Sequence, residues 1–535
     1  MKLKILTLAI GIFAQISISS AIDPFTDSLN RAPDNWYNLD PLTNQVQGVS
    51  TEKTYQILAD RKGEKVTVAV IDSGVDIEHE DLQGKLWINQ DEVAGNGIDD
   101  DQNGYVDDVY GWNFIGGSEG DHVNYDTYEL TREYARLKEK YQNINPDDLP
   151  KKERAYFEKI EQQYETKQAE AQQEYQAFTY FHKNFTRSQK LMEAYLDVDS
   201  LTAQDVRNME SSDEIVLMAK GFMEYAFENG LDESLLEEGI EHYRQAVDYG
   251  YNLEYNPRTI VGDNYEDISE KFYGNNDVTG PDSRHGTHVA GIIAADRHNN
   301  LGTKGIADHV EIMAIRAVPN GDERDKDVAN AIYYAVDNGA QIINMSFGKS
   351  FSPNKSIVDE AVRYAEEKGV LIIHAAGNSS ENIDETDNFP SKIYENKKPA
   401  SNWIEVGASS WKGQEDFVAT FSNYGKRSVD VFAPGVDVFS TTPNQGYESL
   451  SGTSMAAPVT AGIAALLMSY YPDLDATQVK EIILSSVVKL DGLKVNCPGK
   501  SDKQINFSNL SSTGGVVNAF EAVKLAESYK INRKK

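Results

Sequence analysis

The sequence predicts an α/β fold: a doubly wound, mostly parallel sheet flanked by helices, with an all-α domain inserted into it. Three observations predict it. Short apolar runs alternate with helix-spaced segments over residues 66–120 and 276–535, and that βαβα rhythm builds parallel sheets covered on both faces. Between these blocks, from Asp121 to Lys220, there is no glycine, although the 535-residue chain has 39. The same stretch carries Tyr, Leu, Phe and Ile at three- and four-residue spacing among Glu, Lys and Gln, the period of an amphipathic helix.

In chain order, residues 1–21 read as a secretory signal peptide, with a basic start at Met1–Lys4, an apolar run at Ile5–Ile18 and small residues at Ser19-Ser20-Ala21. The apolar run is too short for a stable membrane anchor, and no other stretch approaches a span. No cysteine follows the cleavage region, so lipid attachment there is not supported. The protein is expected to be exported, to the periplasm or the extracellular space.

Residues 22–65 form an N-terminal segment. Residues 66–120 and 276–535 are the two parts of the sheet domain. Their strand candidates are Val66–Ile71, Val310–Val318, Gln341–Phe347, Val370–Ala376, Trp403–Ser409 and Val429–Phe432. Helix candidates are Val289–Ala295, Asp327–Asn338, Ser356–Lys368 and Ser454–Ser469, with a last helix at Gly515–Glu527.

Residues 121–275 are the helical insertion, with helical runs at Glu133–Tyr141, Lys151–Phe181 and Ser188–Leu196, the first two separated by Pro146 and Pro150. It holds sixteen of the 29 tyrosines and roughly half of the net charge of −34. Such an aromatic stripe reads as a helix–helix core. The insertion is expected to be separable from the sheet domain and to limit access to a cleft; the alternative is an arm that docks a partner.

The net charge excludes nucleic acid, whose phosphates would be repelled, and favours solubility and divalent cations. The single cysteine, Cys497, rules out an intramolecular disulfide. It sits in an Asn-Cys-Pro-Gly turn with no histidine nearby in sequence, which disfavours a cysteine nucleophile.

Three segments carry the chemistry: VAVIDSG at Val68–Gly74, RHGTHVAG at Arg284–Gly291 and SGTSMAAP at Ser451–Pro458. Asp72 ends a buried strand, His285 opens a helix, and Ser454 opens another whose free N–H groups and dipole favour negative charge. An aspartate, a histidine and a serine are what a hydroxyl needs to attack a carbonyl. The imidazole takes the proton, and the carboxylate fixes its tautomer.

The order Asp, His, Ser differs from that of α/β-hydrolases and of the chymotrypsin type. With these motifs the chain resembles the subtilase (subtilisin-like) family of serine peptidases over about residues 34–117 and 276–530. The resemblance implies a subtilisin-like sheet and a serine endopeptidase acting on polypeptides. It makes the first histidine of HGTH, His285, the base, and leaves His288 a packing role. It also implies that Asn378, in the Ala-Ala-Gly-Asn run 375–378, donates its amide to the oxyanion beside the N–H of Ser454. Asn344–Gly348 resembles the strand that pairs with extended substrate; Ser346, Phe347, Gly348 and Gly377 would border a pocket suited to an apolar or aromatic residue. Subtilases commonly carry an N-terminal pro-domain, and residues 22–65 are too few for a full one.

One further segment is rich in acids. Asp99, Asp101 and Asn103, with Gly104 at the turn, match the first half of a D-x-D-x-N-G calcium loop, and the Tyr105 carbonyl and Asp107 fall at the next ligand positions. The twelfth position is Tyr110, so the loop is no complete EF-hand, and Asp108 could supply a late carboxylate. Structural calcium is the expected cofactor, with no organic one. Asp81 with the Asn299-Asn300 loop is a second, family-type candidate.

Overall fold

The computed structural model describes residues 31–145 and 148–533. The signal peptide expected at 1–21 and the break expected at Pro146 lie outside the described residues.

Seven strands come first: β1 (Val66–Asp72), β2 (Gly111–Asn113), β3 (Val310–Arg316), β4 (Ile342–Met345), β5 (Leu371–Ala375), β6 (Trp403–Ser409) and β7 (Val431–Pro434). A hairpin, β8 (Val438–Thr442) and β9 (Gly446–Leu450), precedes β10 (Val488–Lys489). A second hairpin, β11 (Lys494–Cys497) and β12 (Lys500–Asn506), precedes β13 (Gly515–Val516). One nine-stranded sheet runs β10-β13-β7-β6-β5-β4-β1-β3-β2. All its neighbouring pairs are parallel except β10 with β13.

Helices α1 (Pro41–Asn44) and α2 (Thr51–Leu58) precede β1. The insertion holds α3 (Glu129–Tyr141), α4 (Lys151–Leu196), α5 (Ala203–Asn208), α6 (Glu214–Glu228), α7 (Glu233–Gln245) and α8 (Arg258–Val261). The sheet domain adds α9 (Arg284–Ala294), α10 (Asp325–Asp337), α11 (Lys355–Glu367), α12 (Thr453–Tyr470), α13 (Ala476–Ser485) and α14 (Ala519–Arg533).

Strand β1, Val-Thr-Val-Ala-Val-Ile-Asp, is buried throughout, as a central parallel strand must be. Its side chains alternate between two cores. Val66, Val68 and Val70 join Val289 and Ile292 of α9, Val459 and Ile463 of α12 and Val523 of α14. Ala69 and Ile71 join Val328 and Ile332 of α10 and Val358 and Val362 of α11 on the other face. Each such valine or isoleucine contributes on the order of 1.5–3 kcal/mol by leaving water.

Several expectations change in detail. Gly515-Val516, expected to open the last helix, pairs as a strand, and the helix begins at Ala519. Strand β2 escapes notice because three residues show no period. Among the described residues α12 is long and apolar enough to cross a membrane, contrary to the sequence reading, but it packs inside the core. Cys497 is buried beside Tyr424, not in an open turn.

Helix α4 is one unbroken rod of 46 residues, about 70 Å at 1.5 Å per residue. Residues 182–187 continue it because they contain neither glycine nor proline, and Asn184 and Thr186 bond back to the carbonyls of Tyr180 and His182. The insertion has two cores of its own. One, near the sheet domain, gathers Leu130, Tyr134, Leu137, Ile160 and Tyr164; the other, distal, gathers Phe185, Met192, Val216, Met223 and Leu236. The chain enters and leaves it side by side: Asn113 and Asn275 exchange backbone hydrogen bonds of 2.9 and 3.0 Å at the edge strand β2. Its ends are not loosely attached, because Val123, Val261 and Tyr273 lie in the same core as α10 and α11.

Candidate active site

Strand order reverses around β1, with β3 and β2 on one side and β4 to β7 on the other. Loops leaving the carboxyl ends of β3 and β4 therefore diverge, and a crevice opens above the end of β1. Asp72 is the last residue of that strand and is buried. Its Oδ1 accepts hydrogen bonds from the Ser73 N–H and from His285 Nδ1, both at 2.7 Å. His285 is the second residue of α9. The helix can come this close because residue 286 is glycine: a Cβ there would lie 2.1 Å from the Gly74 carbonyl oxygen and 3.1 Å from Asp72 Cβ.

The Nδ1–H to Asp72 bond leaves Nε2 of His285 as the acceptor. Burial disfavours the charged ring, but the Asp72 carboxylate outweighs it and holds His285 above the usual histidine range. His288 contrasts with it. Fully buried, it faces the Glu448 carbonyl (3.1 Å), and burial pushes its pKa down to about 4.

Ser454 is the second residue of α12, which packs against α9. Its Oγ donates to the Ser346 carbonyl at 3.0 Å, while Ser346 Oγ donates to the Ser454 carbonyl at 2.9 Å. Among the described residues no hydrogen bond joins Ser454 to His285, because the Ser346 carbonyl already satisfies the hydroxyl. Asn378 follows β5. Its Oδ1 accepts from both the N–H and the hydroxyl of Thr453, each at 2.9 Å, which turns Nδ2 away from them. The Thr453 hydroxyl in turn accepts from the Gly377 N–H at 3.0 Å. Thr453 was therefore in a motif already singled out, but its part was invisible until Asn378 was placed beside it.

Beyond β4, which ends at Met345, Ser346–Gly348 leave the ladder, since Ser346 is engaged with Ser454. Phe347 is half-buried, edge-on to His374. Gly377 has φ of +98°, and a Cβ would come 2.5 Å from Asn423 Nδ2. Asn388 escaped the sequence reading: its Oδ1 lies 3.2 Å from where a Cβ of Gly348 would stand and 3.5 Å from that of Gly377. A polar amide thus occupies the space between the two glycines.

The acidic loop is built differently from its linear pattern. Oxygens of Asp99, Asp101 and Glu92 lie within 4.8 Å of one another. Glu92 precedes the motif and was missed. The Asp107 oxygens accept from the Asn96 and Gly97 N–H groups at 3.1 and 2.8 Å. Asn103 presents Nδ2 to Asp101 and Asp108, its Oδ1 being taken by the Tyr105 N–H. The Tyr105 ring packs on Trp112 and Tyr334. Asp108 accepts from Asn89, Asn103 and the Tyr334 hydroxyl, and burial pushes its pKa up to about 6. Asp81 is fully buried and accepts from Asn299 Nδ2 (2.7 Å) and the Thr303 N–H (3.2 Å); Asn300 turns with φ of +59°.

A family model described as the subtilase family matches residues 63–507. The chain is 38% identical over 241 residues to thermitase of Thermoactinomyces vulgaris, covering 44% of this chain and 80% of thermitase. It is 41% identical over 211 residues to a thermophilic serine proteinase of Bacillus sp. (strain AK1), covering 39% of this chain. That alignment spans 48%, about half, of the Bacillus protein. A solved structure described as proteases from Pseudoalteromonas arctica PAMC 21717 gives a TM-score of 0.39 at 27% identity, covering 47% of this chain and 78% of that one.

Proposed function

Because the chain belongs to the subtilase family, we propose that it is an exported serine endopeptidase using Asp72, His285 and Ser454, with Asn378 as oxyanion donor. The 2.7 Å bond between His285 and Asp72, in one crevice with Ser454, carries the reading. Rotation about the Cα–Cβ bond of Ser454 exchanges the Ser346 carbonyl for Nε2 of His285. As Oγ attacks the peptide carbonyl carbon, its proton passes to Nε2, and Asp72 stabilises the imidazolium. The carbonyl oxygen becomes negative opposite the Ser454 N–H and Asn378 Nδ2. Breakdown returns the proton from Nε2 to the leaving amine and leaves an acyl ester on Ser454. Water, deprotonated by the same nitrogen, hydrolyses it.

The substrates are polypeptides, bound extended along Ser346–Gly348. Asn388 between Gly348 and Gly377 argues for a small side chain there rather than the aromatic one expected from sequence. The acidic loop suits calcium in its donor chemistry: Glu92, Asp99 and Asp101 offer hard oxygens, and Asn103 would offer Oδ1 after its amide turns over. Bound there, the ion would neutralise clustered carboxylates. Export rests on residues 1–21 of the sequence.

A fluorophosphonate probe tests the reading. It should label Ser454 in the wild type and fail to label Ser454→Ala, which should not digest casein. Undiminished casein hydrolysis by Ser454→Ala would end the assignment.

A further inference from the structure

Strands β3 and β4 flank β1, so the segments that leave them, residues 317–324 and 346–348, border the crevice over Asp72 from its two sides. The first starts on Asp72 itself, whose carbonyl accepts from the N–H groups of Ala317 and Val318 at 3.0 and 3.2 Å. The second carries the Ser346 contacts to Ser454. Lys349 is the next residue after the second segment, and its side chain crosses to the first.

Its ammonium donates to the Glu323 carbonyl at 2.7 Å and to Glu129 Oε2 at 2.8 Å, and lies 2.8 Å from Asp325 Oδ1. Three acceptors from two parts of the chain, residues 323–325 and Glu129, thus surround one three-donor group. Glu129 is the first residue of α3, so the second part is the insertion. The rest of that helix foot holds the same segment: the Glu129 N–H donates to Asp322 Oδ2 at 2.8 Å, and Arg132 donates to the carbonyls of Asp322 (3.0 Å) and Glu323 (3.3 Å). The backbone of Lys349 is fixed separately, by paired hydrogen bonds of 2.8 and 2.9 Å with Phe389.

We infer that Lys349 is a positioning residue through which the foot of the insertion sets the spacing of segments 317–324 and 346–348 for an extended peptide. The inference rests on the peptidase reading above. A buried ion pair is poor evidence of stability, because well-packed apolar side chains of similar volume hold a core equally well. What the ammonium adds is a tether: its three contacts tie a carbonyl on one side of the crevice to the chain on the other. Burial works against the charge on Lys349, but Glu129 and Asp325 outweigh it and hold the group above the usual lysine range. The clamp therefore stays charged across the working range of a histidine base.

The test compares Glu129→Gln and Lys349→Met with the wild type on two substrates sharing the residue before the scissile bond. One is a peptide with four residues on that side, the other an ester with one. Both variants should raise KM for the long peptide roughly tenfold, with kcat within about twofold. Ester hydrolysis and fluorophosphonate labelling should stay at wild-type rates. Equal losses on both substrates, or an unchanged KM for the long peptide, would overturn the inference. Lys349→Met takes the ion pair from the buried Asp325, while Glu129 keeps Arg132; if it fails to fold, Glu129→Gln, which leaves Lys349 paired with Asp325, decides alone. Failure of Glu129→Gln to fold also overturns it, since the contact then serves the fold. A wild type that takes no fluorophosphonate label sinks the peptidase reading instead.

Discussion

Asn378 and Ser454 both bring a nitrogen beside Gly452. A Cβ on Gly452 would stand 3.5 Å from Asn378 Nδ2 and 3.5 Å from the Ser454 nitrogen. Two nitrogens from different elements, the loop after β5 and the start of α12, thus flank the residue two before the serine that would be attacking. Thr453 keeps the Asn378 amide in place by holding Oδ1 with both its N–H and its hydroxyl.

Asn378→Ala should therefore lower kcat by about 10²–10³ with little change in KM, the loss expected for a donor engaged mainly in the transition state. Thr453→Val keeps the volume and removes one anchor of Asn378, so a smaller loss of roughly tenfold is expected. Steady-state kinetics on a peptide anilide measures both. A Thr453→Val loss exceeding that of Asn378→Ala would show that Thr453 does more than orient the amide.

Activity should rise with pH through the titration of His285. Only the neutral ring accepts the serine proton, and the Asp72 carboxylate stabilises the charged form, so the midpoint lies above the unperturbed value of about 6.5. His288, pushed down to about 4 by burial, stays neutral throughout and adds no second limb. A log(kcat/KM) profile that is flat from about pH 5 to pH 9 would contradict a histidine base.

What the sequence revealed and what it hid have a common cause. Strands such as the one read at Val66–Ile71 were legible because each is a largely apolar run, and the Asp72, His285 and Ser454 motifs were legible because each is local in sequence. The partners that orient them are not local. Thr453 meets Asn378 across 75 positions, and Lys349 meets Glu129 across 220. Asn388 has no motif at all; only the loop that returns it between Gly348 and Gly377 gives it meaning. Glu92 joins Asp99 and Asp101 through a turn that the D-x-D-x-N-G pattern does not encode.

Asn388→Gly should shift the preference before the scissile bond from small toward large apolar residues, because it removes the amide between two glycines. A peptide library differing only at that residue reads the shift. An unchanged ranking would place the pocket elsewhere.

Calcium should raise the melting temperature, since a ligand bound only by the folded chain stabilises it by mass action. Glu92→Gln together with Asp101→Asn should abolish most of the rise, because they remove two of the three clustered carboxylates. Equal melting temperatures in calcium and in chelator would reject a stability-linked ion at this loop.

The insertion should tolerate shortening at its tip and not at its foot. Removing 125–272 as one block, nearly the whole 121–275 insertion, would take Asp126 from Arg324, Arg258 from Asp327, and Asp263 with Glu270 from Lys326. Those three stranded charges are all buried. Breaking one buried pair costs about 3–5 kcal/mol, so three cost roughly 9–15, as much as the whole stability of a typical domain. A cut from residue 186 to 230, closed by a short flexible linker, removes most of the distal core and leaves every one of those pairs in place. That protein should fold, by circular dichroism and a cooperative melt, and should label with fluorophosphonate at the wild-type rate. The larger deletion should be recovered only as unfolded or aggregated protein. If it instead folds and labels, the buried pairs at the foot are dispensable, and the insertion is separable after all. If the tip deletion folds but does not label, the distal helices help to build the site despite their distance from Ser454 along the chain.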